Sequence, residues 1–223
     1  MSWDSTWEEV FCSQPWGKYP GEELIRFVAR NFYRAPNRAE VRALELGCGP
    51  GANLWYLARE GFGIFGMDGS NTAIAQATAR LDEECPGWRQ RGELRVGDFS
   101  RLPWPDASVD LVLDHESVYC NDFDTSKAIY HEAARVLKPQ GKLFVRSFAT
   151  GSWGDGTGEP AGRRAWRCKD GPMAGKGFSR FTAEEDIPEL LADFRILSLE
   201  ERSSTWENRS QTVREWIITA EKR

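Results

Sequence analysis

The chain offers little sulfur chemistry. Its five cysteines (Cys12, Cys48, Cys85, Cys120 and Cys168) are odd in number, far apart and free of any Cys-x-x-Cys pair. That pattern suits neither a disulfide framework nor a zinc site, and it reads as reduced thiols in a cytoplasmic protein. MSWDSTWEEV carries acids where a secretory leader has basic residues followed by an apolar run. No run of roughly eighteen apolar residues occurs, so no membrane span is expected. Cationic excess is also lacking. Lys and Arg number 29 against 34 Asp and Glu, a net charge of -5, which argues against a protein that grips a nucleic-acid backbone. No His/Asp/Glu cluster has metal-ligand spacing, so no metal is expected. Internal repeats and low-complexity tails are missing, and nothing in the sequence speaks to oligomeric state. What is present is 223 residues, 40% hydrophobic and 28% charged, enough for one elaborated domain with a single core.

Residues 21–34, GEELIRFVARNFYR, place Leu24, Phe27, Val28 and Phe32 at helical spacing behind two glutamates that suit a helix N-terminus. An apolar strand at 41–46 runs into a glycine cluster at 47–51, and Leu54 and Leu57 then share one helical face. The pattern repeats: an apolar run at 63–67 ends in Asp68, and an alanine-rich helix at 72–84 is stopped by Pro86 and Gly87. Further strands are expected at 94–96, 109–113 and 143–145, with a helix at 125–137 terminated by Lys138-Pro139-Gln140-Gly141. This alternation predicts an α/β fold, doubly wound, with a mostly parallel sheet covered on both faces. After Ser147 the rhythm breaks. Residues 150–181 hold eight glycines and the basic residues Arg163, Arg164, Arg167, Lys169, Lys176 and Arg180, the makeup of a lid-like insertion or a solvated loop. Thr182-Ala183-Glu184-Glu185 reads as a capping box opening a helix to about Ala192. Alternating runs at 194–199 and 213–219, joined by a polar stretch, predict an antiparallel pair at the sheet edge. The expected organisation is one domain, 1–223, with an N-terminal aromatic and helical cap at about 1–35 and the insertion at about 150–181.

In doubly wound sheets, ligands lie beyond the carboxyl ends of the strands, and the first strand-to-helix turn is the usual cradle. Here that turn is LELGCGPGAN. Gly47, Gly49 and Gly51 remove side chains so that the backbone can bend sharply and touch a ligand. Glu45, at the strand end, can hold the turn or a ligand ammonium. Gly47, Gly49 and Ala52 also satisfy G-x-G-x-x-[GA], which keeps a nicotinamide-dependent enzyme open. Asp68 can bond both ribose hydroxyls, and Asp98 with Phe99 offers a carboxylate and a ring for an adenine.

Four motifs within 43–145, LELGCGPG, GMDGS, GDFSRLPWPDASVDLVLD and EAARVLKPQGKLFV, occur in an order and spacing that resembles the class I S-adenosylmethionine-dependent methyltransferases, in the small-molecule, type 11-like branch. The resemblance implies a Rossmann-like seven-stranded sheet closed by the C-terminal antiparallel strand pair. It implies S-adenosylmethionine as cofactor and S-adenosylhomocysteine as product. Glu45, Gly47, Gly49 and Gly51 would hold the methionine end, Asp68 the ribose, and Asp98 with Phe99 the adenine. The loop after the fourth strand reads DHESVYC, without the Asn/Asp-Pro-Pro-Tyr or Pro-Cys of the DNA-base enzymes, so a small-molecule acceptor is implied, oxygen slightly favoured over nitrogen. Two alternatives stand beside it: an NAD(P)-dependent oxidoreductase built on the same turn, and a non-catalytic S-adenosylmethionine-binding module.

An alcohol or phenol acceptor benefits from a base. His115, directly after strand four, is the first candidate, set against a structural role beneath the cofactor; Glu116 and Tyr119 stand in reserve. His131 belongs on a helix surface. Among ten tryptophans, Trp3, Trp7 and Trp16 with Phe11 and Tyr19 could form an aromatic lid or pack on the sheet edge. Trp153 and Trp166 could close on an acidic or sugar-like acceptor. Trp55, Trp88, Trp104 and Trp216 read as packing residues, Trp104 being a candidate neighbour of the adenine.

Overall fold

The computed structural model describes residues 3–223. Five parallel strands follow from the apolar runs: β1 (Arg42–Leu46), β2 (Gly63–Asp68), β3 (Glu93–Val96), β4 (Val109–His115) and β5 (Leu137–Phe148). β9 (Phe194–Trp206) and β10 (Gln211–Lys222) add the antiparallel pair, giving the order β3-β2-β1-β4-β5-β10-β9. β2 is buried at every position and β1 at four of five, which is why these strands read as apolar runs rather than as alternation.

Alternate residues of the central strands feed two apolar layers. On one face Ala43, Ile64, Leu111 and Leu113 meet α2 (Glu22–Phe32), α3 (Ala52–Arg59) and α4 (Asn71–Glu84) through Leu24, Phe27, Leu54, Leu57 and Leu81. On the other, Leu44, Leu46, Val112 and Val145 meet α5 (Phe123–Val136) and the short α6 (Ile187–Leu190). Ser70 caps α4 by accepting from Ala73 N at 3.0 Å, and Asp122 caps α5 by accepting from Thr125 N at 2.8 Å. α1 (Thr6–Ser13) lies outside both layers and against α4.

Several local expectations are corrected. Residues 150–181 are not a solvated loop: β6 (Glu159–Gly162), β7 (Ala165–Arg167) and β8 (Phe178–Arg180) form a small antiparallel sheet. Trp153 and Trp166 pack on its own cluster with Cys168, Met173 and Phe181, and Trp166 Nε1 donates to Asp155 at 2.9 Å. Buried Arg180 fastens this sheet to the core by donating to Asn121 O, Thr182 Oγ1 and Ser126 Oγ. That bond takes the Thr182 hydroxyl away from helix capping. The turn at Glu184–Asp186 follows Ala183 instead, Ala183 N donating to Asp186 Oδ2, and α6 ends at Leu190 rather than near Ala192. β9 and β10 run past the alternating segments because the far half of β9 is exposed, so no buried face imprints a period on it. The turn closes at Glu207, Asn208 and Arg209, all in the left-handed region. All five cysteines are free.

Candidate functional site

Strand order reverses at β1 and β4, and a cavity of about 260 Å³ opens beyond their carboxyl ends, the place where such sheets receive ligands. The turn after β1 forms one wall. Gly47 N and Cys48 N both donate to Met67 O, at 2.8 and 3.1 Å, which folds the turn over the end of β2. Gly47 has φ +63°, and a Cβ there would lie 2.4 Å from Ser117 Cβ, so no side chain fits. Gly51 does a different job. It caps α3 at φ +82°, its absent Cβ facing Ala77 at 2.9 Å, and it does not line the cavity.

Two carboxylates close the inner end. Glu45 is 2% exposed; its Oε1 lies 2.6 Å from the donating Asn53 Nδ2, while its buried Oε2 has no partner among the described residues. Burial, with Asp68 and Asp114 nearby, pushes its carboxyl up to about 8 against the Asn53 bond. Asp68 staples the turn to β2, Oδ2 accepting from Gly49 N at 2.8 Å and Oδ1 from Ser70 N at 2.9 Å. Burial raises its pKa despite those donors. Phe99 lines the same space next to Gly47. Asp98 does not: its Oδ1 accepts from Ser100 N at 2.9 Å, holding the turn that carries Phe99.

The loop after β4 forms the opposite wall. Asp114 fixes it by accepting from Ser117 N and Val118 N through Oδ1 and from Tyr130 Oη through Oδ2. His115 Nε2 faces the donating Arg146 Nη1 at 3.2 Å, and Nδ1 lies 2.9 Å from Asn53 Nδ2. Burial and Arg146 push the imidazole down to about 4, so it is neutral; both nitrogens face protein donors, and the neutral ring accepts from one of them. Glu116 stands in the left-handed region at φ +60°, rare for a residue with a side chain. Its carboxylate lies 3.1 Å from Arg146 Nε, and Arg146 also donates to both oxygens of Glu215. Burial and the hydrogen bond with Glu215 raise Glu116 to about 8; against its own burial, Glu215 is held low by Glu116 and Arg146. Tyr119 donates to Met173 Sδ at 3.0 Å, and burial pushes its phenol far up.

Glu45, Gly47, Gly49, Asp68, Phe99, His115, Glu116 and Tyr119 therefore converge on one cavity, whose lining does not include Gly51 or Asp98. Trp3, Trp7, Phe11, Trp16 and Tyr19 line its mouth. Trp153, Trp166 and Trp104 do not, Trp104 being buried against Phe65 with Nε1 donating to Glu93. Sequence reasoning missed Asn53, Ser117, Met173 and Lys176. Only Asn53 carried a signal, a polar residue in the first turn of an otherwise apolar helix.

The methyltransferase-domain family model matches residues 44–145. Malonyl-[acyl-carrier protein] O-methyltransferase of Enterobacter lignolyticus is 29% identical over 168 residues, 74% of this chain and 60% of its own length. The structure of an S-adenosylmethionine-dependent methyltransferase from Methanosarcina mazei superposes with a TM-score of 0.61 at 22% identity, over 82% of this chain and 93% of that one. That of 1,6-didemethyltoxoflavin-N1-methyltransferase from Burkholderia thailandensis, with bound 1,6-didemethyltoxoflavin and S-adenosylhomocysteine, gives 0.67 at 17% identity, over 90% and 77%. The chain spans 29%, 33% and 60% of three curated relatives it matches. Fold and cavity together define a Rossmann-like α/β protein with a cavity at the strand ends. Within that class, residues 44–145 match the methyltransferase-domain family, and the chain is similar to S-adenosylmethionine-dependent methyltransferases.

Proposed function

We propose that the chain, as one domain with an N-terminal cap and a lid-like insertion, transfers the methyl group of S-adenosylmethionine to a small-molecule acceptor. The observation that carries this reading is the bare, buried Oε2 of Glu45 in a cavity walled by side-chain-free Gly47. A buried carboxylate oxygen without a donor is costly, and an α-ammonium supplies one. Glu45, Gly47 and Gly49 hold the methionine end, Asp68 the ribose hydroxyls and Phe99 the purine face. Asp98 positions Phe99, and Gly51 sets the start of α3 behind the cradle.

The cofactor, when bound, supplies a sulfonium methyl with its leaving group built in. The protein aligns the acceptor and keeps water out. Oxygen is favoured over nitrogen as acceptor atom because Glu116, a cavity-lining carboxyl tuned toward neutrality, can take the proton that a hydroxyl loses as its oxygen is alkylated. His115 holds Arg146 and Asn53 in place for Glu116 and Glu45. Thermal melting separates this from a nicotinamide enzyme. S-Adenosylhomocysteine at a hundredfold excess over its Kd stabilises the fold by about 2.7 kcal/mol; a shift with a nicotinamide nucleotide and none with either methionine nucleoside would reverse the assignment.

A further inference from the structure

The outer half of the cavity has a chemistry of its own. Trp7 and Trp16 come from the N-terminal segment, Tyr119 from the β4 loop, Phe148 from β5 and Met173 from the insertion. Trp7 and Trp16 meet edge to face at 5.7 Å, and Tyr119 meets Phe148 at 5.1 Å and 89°. Such walls suit a flat ring. Among the described residues, all but one of the charged groups lining the cavity are acids, and Glu45, Asp68 and Glu116 cluster at the strand ends. The exception is Lys176. Its ammonium sits 5.4 Å from the centre of the Trp16 ring and makes no ion pair among the described residues. The acid at that end, Asp4, is already engaged: Oδ1 accepts from Thr6 N at 3.0 Å, Oδ2 from Phe178 N at 3.3 Å, and Arg167 lies 3.9 Å away.

We propose that the acceptor is a flat aromatic or heteroaromatic compound bearing an anionic group, its ring held between Trp7 and Trp16 on one side and Tyr119, Phe148 and Met173 on the other, and its anion paired with Lys176. This rests on the methyltransferase reading. The inner end is acidic and the outer end cationic, so an acceptor with a hydroxyl at one end and a carboxylate at the other enters in one orientation, hydroxyl toward Glu116. A half-buried ammonium with no counter-ion among the described residues gains from a ligand anion and repels a ligand cation.

Calorimetric titration tests it with hydroxynaphthoate, naphthol and naphthylmethylammonium, each with and without saturating S-adenosylhomocysteine, on the wild type and Lys176→Met. Hydroxynaphthoate is expected to bind about tenfold or more tighter than naphthol to the wild type, and Lys176→Met is expected to abolish that preference at an unchanged melting temperature. Equal affinities for naphthoate and naphthol, tightest binding of the ammonium probe, a preference that survives in Lys176→Met, or no binding of any probe would each overturn the proposal. S-Adenosylhomocysteine titrated alone reports separately on the cofactor reading. If it fails to bind while the naphthoate preference stands, the methyltransferase assignment falls and the anion site remains.

Discussion

A carboxyl that is buried with one oxygen bare ties ligand binding to protons. Glu45 is raised to about 8 from an ordinary value of 4.5, so between those values the folded protein holds a proton the unfolded chain releases. Its contribution to stability is present at low pH and is lost as pH rises through about 8. Ligand-free protein should lose melting temperature between about pH 4.5 and 8, and Glu45→Gln should flatten that slope while weakening S-adenosylhomocysteine binding. An ammonium beside Glu45 pulls its pKa down, so binding near pH 7 should release a proton, visible as calorimetric heats that depend on the buffer's ionisation enthalpy. Identical heats in all buffers would remove Glu45 from the ammonium site. The same reasoning ranks the base candidates. Glu116→Gln should lower kcat about 10²- to 10⁴-fold with little change in nucleoside affinity, and the wild-type rate should climb with a midpoint near 8, where Glu116 ionises. His115→Ala should slow the reaction less and leave that midpoint in place; a midpoint that vanishes with His115 alone would restore it as base. Glu45, Asp68 and Glu116 were legible in the sequence because a residue ending a buried strand has a fixed position in this kind of sheet. Lys176 was not, because its place depends on how a distant insertion folds back.

At the scale of elements, the turn between β1 and α3 is the most constrained. Gly47 needs both a left-handed φ and room that Ser117 has already taken, whereas Gly61, at φ +87°, has open space around it. Alanine at either site meets backbone strain of about 1 kcal/mol, and only at 47 does it also meet a side chain. Gly47→Ala should therefore destabilise by about 1–3 kcal/mol more than Gly61→Ala in urea unfolding, with nucleoside binding impaired only in the former. Equal losses would mean that Ser117 moves aside freely. Elements were legible where burial marks the sequence, as continuous apolar runs in β1, β2 and β4 and as a helical period on the apolar faces of α2 and α3. They were illegible where it does not. β6, β7 and β8 are three or four residues long and include Pro160 and Gly162, too short to show alternation. The outer half of β9 has no buried face to show. The box at Thr182 failed because a buried arginine from the neighbouring strand claims its hydroxyl, a tertiary competitor that local spacing cannot reveal.

For the whole molecule, the decisive asymmetry is how differently the sheet and its N-terminal cover are held. The sheet is fixed by two continuous apolar layers to which α1 contributes nothing. α1 is held across the cavity mouth by its buried Val10 and Phe11, by Trp7 against the insertion's cluster, and by a few polar contacts: Glu8 accepts from Ser70 Oγ at 2.5 Å and from Thr72 Oγ1 at 2.6 Å, and Gln76 Nε2 donates to Phe11 O at 3.1 Å. Trp3 lies so close to Gly69 that a Cβ there would come within 2.1 Å of its ring. Contacts of this kind open locally at far less free energy than global unfolding. α1 and the cavity are therefore expected to part without disturbing β1, β2 or β4, and the segment is expected to gate entry and release. In hydrogen exchange, α1 amides should exchange orders of magnitude faster than those of β4 and slow down when S-adenosylhomocysteine is added. Glu8→Ala, which removes the ties to Ser70 and Thr72, should raise the nucleoside's dissociation rate several-fold in stopped-flow fluorescence while strand exchange stays as in the wild type. If α1 proves as protected as β4, or if Glu8→Ala leaves dissociation unchanged, the cover is part of the rigid fold and access must run past the insertion instead.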